Sequence, residues 1–183
     1  MRRVTRGEVR TSSEYAAVRE EFRRGVLSQK DKRRIHVGTY LTFLFENHDT
    51  VLYQIQEMIR AESLTREEDI HHEMETYNEL LGDKGELGCT LLIEIDDPAK
   101  RAELLAQWKG LPETLYVETQ SGKRIPAQFD SRQVGENRIS SVHYLKFRLG
   151  DQVPAKVGSS HPEIVSETAL SAEQVAALCQ DLL

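Results

Sequence analysis

"TLYVETQSGKRIPAQF", residues 114–129, decides the fold class. It reads as two strands joined by a turn at Ser121 and Gly122, and Pro126, which has no N–H to give to a ladder, implies that the second arm is an edge. A hairpin joins antiparallel neighbours. Around it strands and helices come in mixed order, so the expected class is α+β, a largely antiparallel sheet with helices packed on it. The strand, helix, strand order between residues 35 and 118 leaves a small α/β sheet as the alternative, and the hairpin tips the choice to the antiparallel one.

Working outward toward the N-terminus, "DPAKRAELLAQWKG" has Asp97 as N-cap, Pro98 at the first helical position and Gly110 just past the end, which marks a helix of about three turns. Before it, Leu87, Cys89, Leu91, Ile93 and Ile95 alternate as the core face of a strand, so Cys89 reads as core. Thr65 and Glu68 read as a capping box for a helix whose stripe is Ile70, Met74, Tyr77 and Leu81. "RIHVGTYLTFLFE" reads as one half-buried strand, with Ile35, Val37, Leu41, Phe43 and Phe45 on one face and His36, Tyr40, Thr42 and Glu46 on the other. The turn "ENHDT" ends it. Leu52, Ile55 and Ile59 then fit a helix capped by Asp49 or Thr50; "VLYQI" also passes as a strand, and the helix is the preferred reading. Tyr15, Val18, Phe22 and Val26 mark a first helix capped by Ser12 or Ser13. Toward the C-terminus, residues 130–138 read as a loop and "ISSVHYLKFRL" as a strand. "SAEQVAALCQDLL" reads as a closing helix boxed by Ser171 and Gln174, with Cys179 on its packing face.

The chain has 183 residues, 39% hydrophobic and 30% charged, with mean hydropathy −0.51. That composition suits one globular domain over residues 1–183, a basic helical segment at 1–34 followed by an α+β body at 35–183. No apolar run approaches the roughly 18 residues of a membrane span, and no apolar segment of a secretory signal follows the first arginines, so the expected location is the cytoplasm. Net charge is −6. It is uneven: residues 1–36 carry 11 Lys and Arg against 5 Asp and Glu, out of 24 and 30 in the whole chain. The clusters "MRRVTR" and "KDKRR" could meet nucleic acid or an acidic partner, but no aromatic interleaving accompanies them, and a solvated surface pairing with the acidic remainder is the preferred reading.

There is no G-x-S-x-G elbow, Walker A loop, G-x-G-x-x-G or H-E-x-x-H, and two cysteines 90 positions apart make neither a disulfide framework nor a thiolate metal site. Glu68 and His71 form one Glu-x-x-His, and His72 adjoins it. A di-iron centre needs a second copy and two more glutamates, so a solvated helix face is preferred to a metal role for Glu68, His71 or His72. His143 falls on the same strand face as Ile139, Leu145, Phe147 and Leu149, which predicts a buried imidazole. The polar candidates concentrate in "FENHDTVLYQIQEMIRAE", residues 45–62. Glu46, Asn47, Asp49, Gln54, Glu57 and Arg60 would either line a cleft at a strand-to-helix junction or form a capped turn and a charged helix face.

The segments "EYAAVREEFRR", "KRRIHVGTYLTFLFENHDTVLYQIQEMIRAE", "YNELLGDKGELGCTLLIEIDDPAKR" and "ISSVHYLKF" resemble the bacterial family labelled domain of unknown function 3501, over essentially the whole chain. The resemblance transfers no catalytic residue and no cofactor. It implies a bacterial cytoplasmic protein encoded near rubrerythrin-type and iron–sulfur oxidoreductase proteins, hence an accessory in peroxide defence or electron transfer that works by partnership, since the chain has no cysteine array for a cluster. The rival expectation is an enzyme on a small polar substrate, using Glu46, Glu57 and Arg60, with or without His143 or a metal. Nucleic-acid binding through the basic segment is a third.

Overall fold

The structure, a computed structural model, describes residues 1–130, 135 and 137–183. A 3-10 turn at Arg6–Glu8 leads into α1 (Ser12–Asp31), then β1 (Arg34–Val37), β2 (Leu41–Phe45), α2 (His48–Ala61), α3 (Glu67–Asn78), β3 (Glu86–Ile93), α4 (Pro98–Gln107), a second 3-10 turn at Pro112–Thr114, β4 (Leu115–Thr119), β5 (Arg124–Pro126), β6 (Val142–Arg148), β7 (Pro154–Ser159), β8 (Ser166–Ala169) and α5 (Ala172–Asp181). The class is α+β, with all strand pairs antiparallel. They form two sheets of four rather than one, in the orders β1-β2-β3-β6 and β5-β4-β7-β8. The hairpin at 114–129 is β4 and β5, with β5 at an edge.

The segment read as one strand over 34–46 is a hairpin of two. Gly38, at φ +61°, takes the left-handed conformation that lets the chain reverse, and β1 pairs with β2 from Arg34↔Leu44 to Val37↔Leu41. The three-residue loop preserves the alternation, so Ile35, Val37, Leu41, Phe43 and Phe45 still share the core. β2 is buried along its whole length, because it is central in its sheet and covered on both faces.

Helix starts also differ from the sequence reading. Thr11 caps α1 in place of Ser12 or Ser13: its N–H and hydroxyl both donate to the Glu14 carboxylate at 2.9 and 2.7 Å. Asn47 caps α2, one turn ahead of Thr50 and two residues ahead of Asp49. The Thr65–Glu68 box does not form; α3 begins after Arg66, whose guanidinium engages Glu68. The reason lies at the end of α2. Ser63, at φ +53°, closes it with Leu64 N–H donating to Ile59 C=O and Ser63 N–H to Arg60 C=O, a Schellman arrangement that carries the chain away before Thr65 can cap. The predicted loop at 130–138 lies largely outside the described residues.

One apolar cluster fills the space between the two sheets, with Ile35, Phe43, Leu91 and Phe147 from the first, Leu115, Val117 and Val157 from the second, and Leu105, Trp108, Leu178 and Leu182 closing its margins. A second and separate cluster, Val4, Val9, Val51, Ile55, Ile59, Ile70, Met74 and Leu81, holds the N-terminal segment to α2 and α3. The two do not merge. Leu44, buried on the helix-facing side of the first sheet, belongs to neither.

Candidate functional site

The gap between these clusters is where polar side chains converge. In a strand, neighbours alternate between faces. With Phe43 and Phe45 turned into the core, Leu44 and Glu46 face the helices, and the register carries the same face across the sheet: Leu44 pairs with Arg34 and with Thr90, and Thr90 with Tyr144. Above this face sit Lys30 in the last turn of α1, Thr50, Val51 and Gln54 of α2, and Tyr77 and Leu80 at the end of α3. Together they line a cleft of about 300 Å³.

Glu46 is 7% exposed and anchors the cleft floor. Its backbone N–H donates to Gly88 C=O at 2.9 Å, extending the ladder by one residue. One carboxylate oxygen accepts from the Thr50 hydroxyl at 2.6 Å and the other from the Thr90 hydroxyl at 2.8 Å. Asn47 fixes Thr50 in place. Its side-chain oxygen accepts from Thr50 N–H at 2.9 Å, while the Thr50 hydroxyl oxygen accepts from Asn47 N–H at 3.0 Å. Capping the helix and orienting the carboxylate are therefore one arrangement.

Lys30 and Arg34 bring the positive charge. Burial pushes the Lys30 ammonium pKa down; Glu46 acts against that and Arg34 with it, as expected for three charges in one cleft. The Lys30 nitrogen stands 5.3 Å from the centre of the Tyr53 ring. Neither Lys30 nor Arg34 has a carboxylate within 4 Å among the described residues. Burial raises the Tyr77 phenol pKa, opposed by the Gln54 side chain.

The other candidates lie elsewhere. Glu57 faces α1, where it accepts from the Tyr15 hydroxyl at 2.6 Å and from Arg19 Nε and Nη2 at 2.7 and 2.8 Å; those Arg19 bonds bring its pKa down to about 2. Arg60 is exposed on the same helix. Asp49 is exposed beside His48, at the edge of a different cavity. His143 is on the opposite face of the first sheet, paired with Leu91 and fully buried. Its ring nitrogens have no hydrogen-bond partner of good geometry among the described residues, and burial lowers its pKa despite the Ser140 backbone. Glu68, His71 and His72 are exposed on α3, and among the described residues no three His, Cys, Asp or Glu side chains gather as a metal site would require. Of the predicted set, then, Glu46 and Gln54 line the cleft and Asn47 braces it, while Glu57, with the charge of Arg60 acting on it, Asp49 and His143 lie in three other environments.

Sequence reasoning missed Lys30, Arg34, Thr90, Tyr77 and Tyr144 as a group. The signal was present in the alternation: with Ile35, Cys89, Leu91 and Leu145 inward, Arg34, Thr90 and Tyr144 must share the side of Glu46.

Fold and cleft define an α+β protein with a cavity of mixed polar and apolar lining held between a helical layer and an antiparallel sheet. The sequence matches the model of the family described as "Protein of unknown function (DUF3501)" over residues 3–182, and the chain belongs to that family. Among solved structures it is similar to a novel protein of unknown function from Burkholderia pseudomallei K96243, with a TM-score of 0.91 at 27% identity over 100% of both chains. No match is found among curated proteins. No helix among the described residues is long and apolar enough to cross a membrane.

Proposed function

We propose that this protein is a non-catalytic binding protein that holds a small molecule in the cleft between its N-terminal helices and first sheet. The observation that carries the reading is the character of that sheet face. Where a sheet lies beneath helices, apolar contact is the usual solution; here Leu44 and Leu92 share the face with Arg34, Glu46, Thr90 and Tyr144, Lys30 stands above them, and neither cation has a carboxylate within 4 Å among the described residues. A pre-formed concavity with a few convergent polar groups is what ligand sites share. Glu46 supports binding over acid–base work, since both of its oxygens are engaged by hydroxyls. An enzyme using Glu46, Glu57, Arg60 and His143 together would need a convergence that their separate environments do not offer.

The test is native mass spectrometry, with metal analysis, of protein purified gently from a bacterial host. A stoichiometric small molecule is expected, released on denaturation and lost from the Lys30→Ala/Arg34→Ala protein. A bare wild-type protein whose melting temperature responds to no member of a metabolite library would sink the reading.

The family resemblance supports a more specific setting, a cytoplasmic accessory of an oxidative-stress system acting beside a rubrerythrin-type or iron–sulfur oxidoreductase protein. Burial pushes the Cys89 thiol well above its ordinary pKa, and the half-buried Cys179 is raised for the same reason, so neither offers a reactive thiolate. Electron exchange would then run through the partner. Affinity purification at native abundance from peroxide-stressed cells should recover such an oxidoreductase; its repeated absence would remove the redox setting and leave the binding reading intact.

A further inference from the structure

The cleft does not end at Tyr144. Tyr77, Leu80 and Tyr144 also wall a second cavity of about 580 Å³, so the two spaces adjoin across a shared rim. Their characters differ. At the first, Lys30 and Arg34 stand against the single carboxylate of Glu46, an excess of one positive charge. At the second, counting the described residues, Arg3 and Lys146 are matched by Glu79 and Asp130, and Lys146 already lies 3.7 Å from Glu86. The second cavity's remaining walls include Phe129 and Leu145 beside Tyr77 and Leu80.

We propose that the paired cavities take one elongated monoanion, a carboxylate carrying an aliphatic or aromatic tail, with its charge at Lys30 and Arg34 and its tail running past Tyr144 along Leu80 toward Phe129. This rests on the binding reading above and gives it a ligand class. One negative charge matches the excess at the polar end. A phosphomonoester dianion would bring a second negative charge close to Glu46, a cation would meet two like charges, and a neutral ligand would leave the one excess positive charge unbalanced in a partly desolvated cleft. The apolar walls of the second cavity give a tail somewhere to go, and tail length should be read out in affinity.

The experiment is calorimetric titration of the full chain with hexanoate, octanoate, decanoate and decanol. Decanoate should bind best, tightening by up to roughly fourfold per added methylene, and decanol should bind at least tenfold more weakly. Lys30→Gln/Arg34→Gln should lose tenfold or more for decanoate and nothing for decanol. Glu46→Gln should tighten decanoate alone. Leu80→Ser, at the rim, should flatten the chain-length dependence while keeping the preference for the charged head, which guards against a double variant that folds poorly; circular dichroism melts check each protein. Equal binding of decanoate and decanol, or a double variant that still prefers decanoate, would overturn the monoanion while leaving a ligand-binding cleft. If neither compound binds but protein from the host carries a different molecule lost on substituting Lys30 and Arg34, the ligand class falls and the cleft reading stands. If neither binds and the host protein is bare, both fall.

Discussion

At the residue scale, two glutamates eleven positions apart show how environment sets the role of a carboxylate. Glu46 accepts from two neutral hydroxyls, whereas Glu57 accepts two bonds from the Arg19 guanidinium and one from Tyr15. The Arg19 interaction holds the Glu57 pKa near 2, below its unfolded value, so its contribution to stability is full above the unfolded carboxylate range and is lost as pH falls toward 2. With the side chain about one-fifth exposed, the contribution is about 2 kcal/mol after allowance for screening. Urea unfolding of wild type and Glu57→Gln across pH should show a gap of that order at pH 6 that closes by pH 2; a gap independent of pH would mean that packing, not charge, is lost. The Arg33–Asp181 pair is a different case. It is doubly hydrogen-bonded, at 2.7 and 2.9 Å, with both residues under a tenth exposed. Burial nevertheless raises the Asp181 pKa in spite of Arg33. Arg33→Met should therefore cost about 3–5 kcal/mol at neutral pH by stranding a buried carboxylate. That loss should shrink as pH is lowered and Asp181 takes up its proton, since a raised folded-state pKa favours folding at low pH. The double variant Arg33→Met/Asp181→Leu should recover most of it, and a double variant as weak as the single would show that the ion pair itself holds α5 to the end of α1.

At the element scale, the cleft depends on how closely α3 can seat on β3. Gly88 lies on the helix-facing side of the first sheet, and a Cβ there would overlap the carbonyl oxygen of Leu80, a cleft-lining residue. That obstacle is backbone and cannot rotate away. Gly88→Ala should cost about 2–3 kcal/mol and weaken ligand binding with it. Gly25, inside α1 with open space around its Cβ position, is the control: Gly25→Ala should stabilise by roughly 0.5–1 kcal/mol through helix propensity. Thermal melts of both proteins decide the matter, and similar shifts in the two would discount the close approach. The same elements explain what was readable beforehand. Strands with strong alternation, β3 and β6, and helices with caps of ordinary type, α4 and α5, were legible. β7 and β8, "PAKVGS" and "SETA", escaped because small and polar residues give no apolar period, and their strand character comes from pairing across the second sheet. The hairpin at Gly38 escaped because a three-residue loop leaves the alternation unbroken. The cleft was half legible: Glu46, Asn47 and Gln54 are consecutive enough to stand out, while Lys30, Arg34, Thr90 and Tyr144 meet only once the order β1-β2-β3-β6 is known.

At the scale of the whole molecule, two apolar clusters separated by a polar cleft imply two levels of stability. The inter-sheet cluster is the larger and is closed by strands buried on both faces, by α5 and by Trp108. The helical cluster is smaller and is held to the N-terminal segment by polar links: Asn78 accepts from Val4 N–H at 2.8 Å and donates to Val4 C=O at 2.9 Å, and the Gln56 side chain bonds both backbone groups of Arg10. A layer with less apolar burial opens at lower free energy than the core beside it. Native-state hydrogen exchange should accordingly give α2 and α3 a smaller opening free energy than β2 and β3, by at least about 2 kcal/mol if the layer opens as its own unit. A ligand bound in the cleft contacts both layers, so it should raise the protection of α2 and α3 toward that of the sheet, by about 2.7 kcal/mol at a ligand concentration one hundred times Kd, while leaving exchange in β4 and β7 nearly unchanged. Uniform protection across helices and sheets without ligand would mean that the two clusters open together. The cleft would then be a rigid seam, with the ligand entering from its open rim and not through motion of the helical layer.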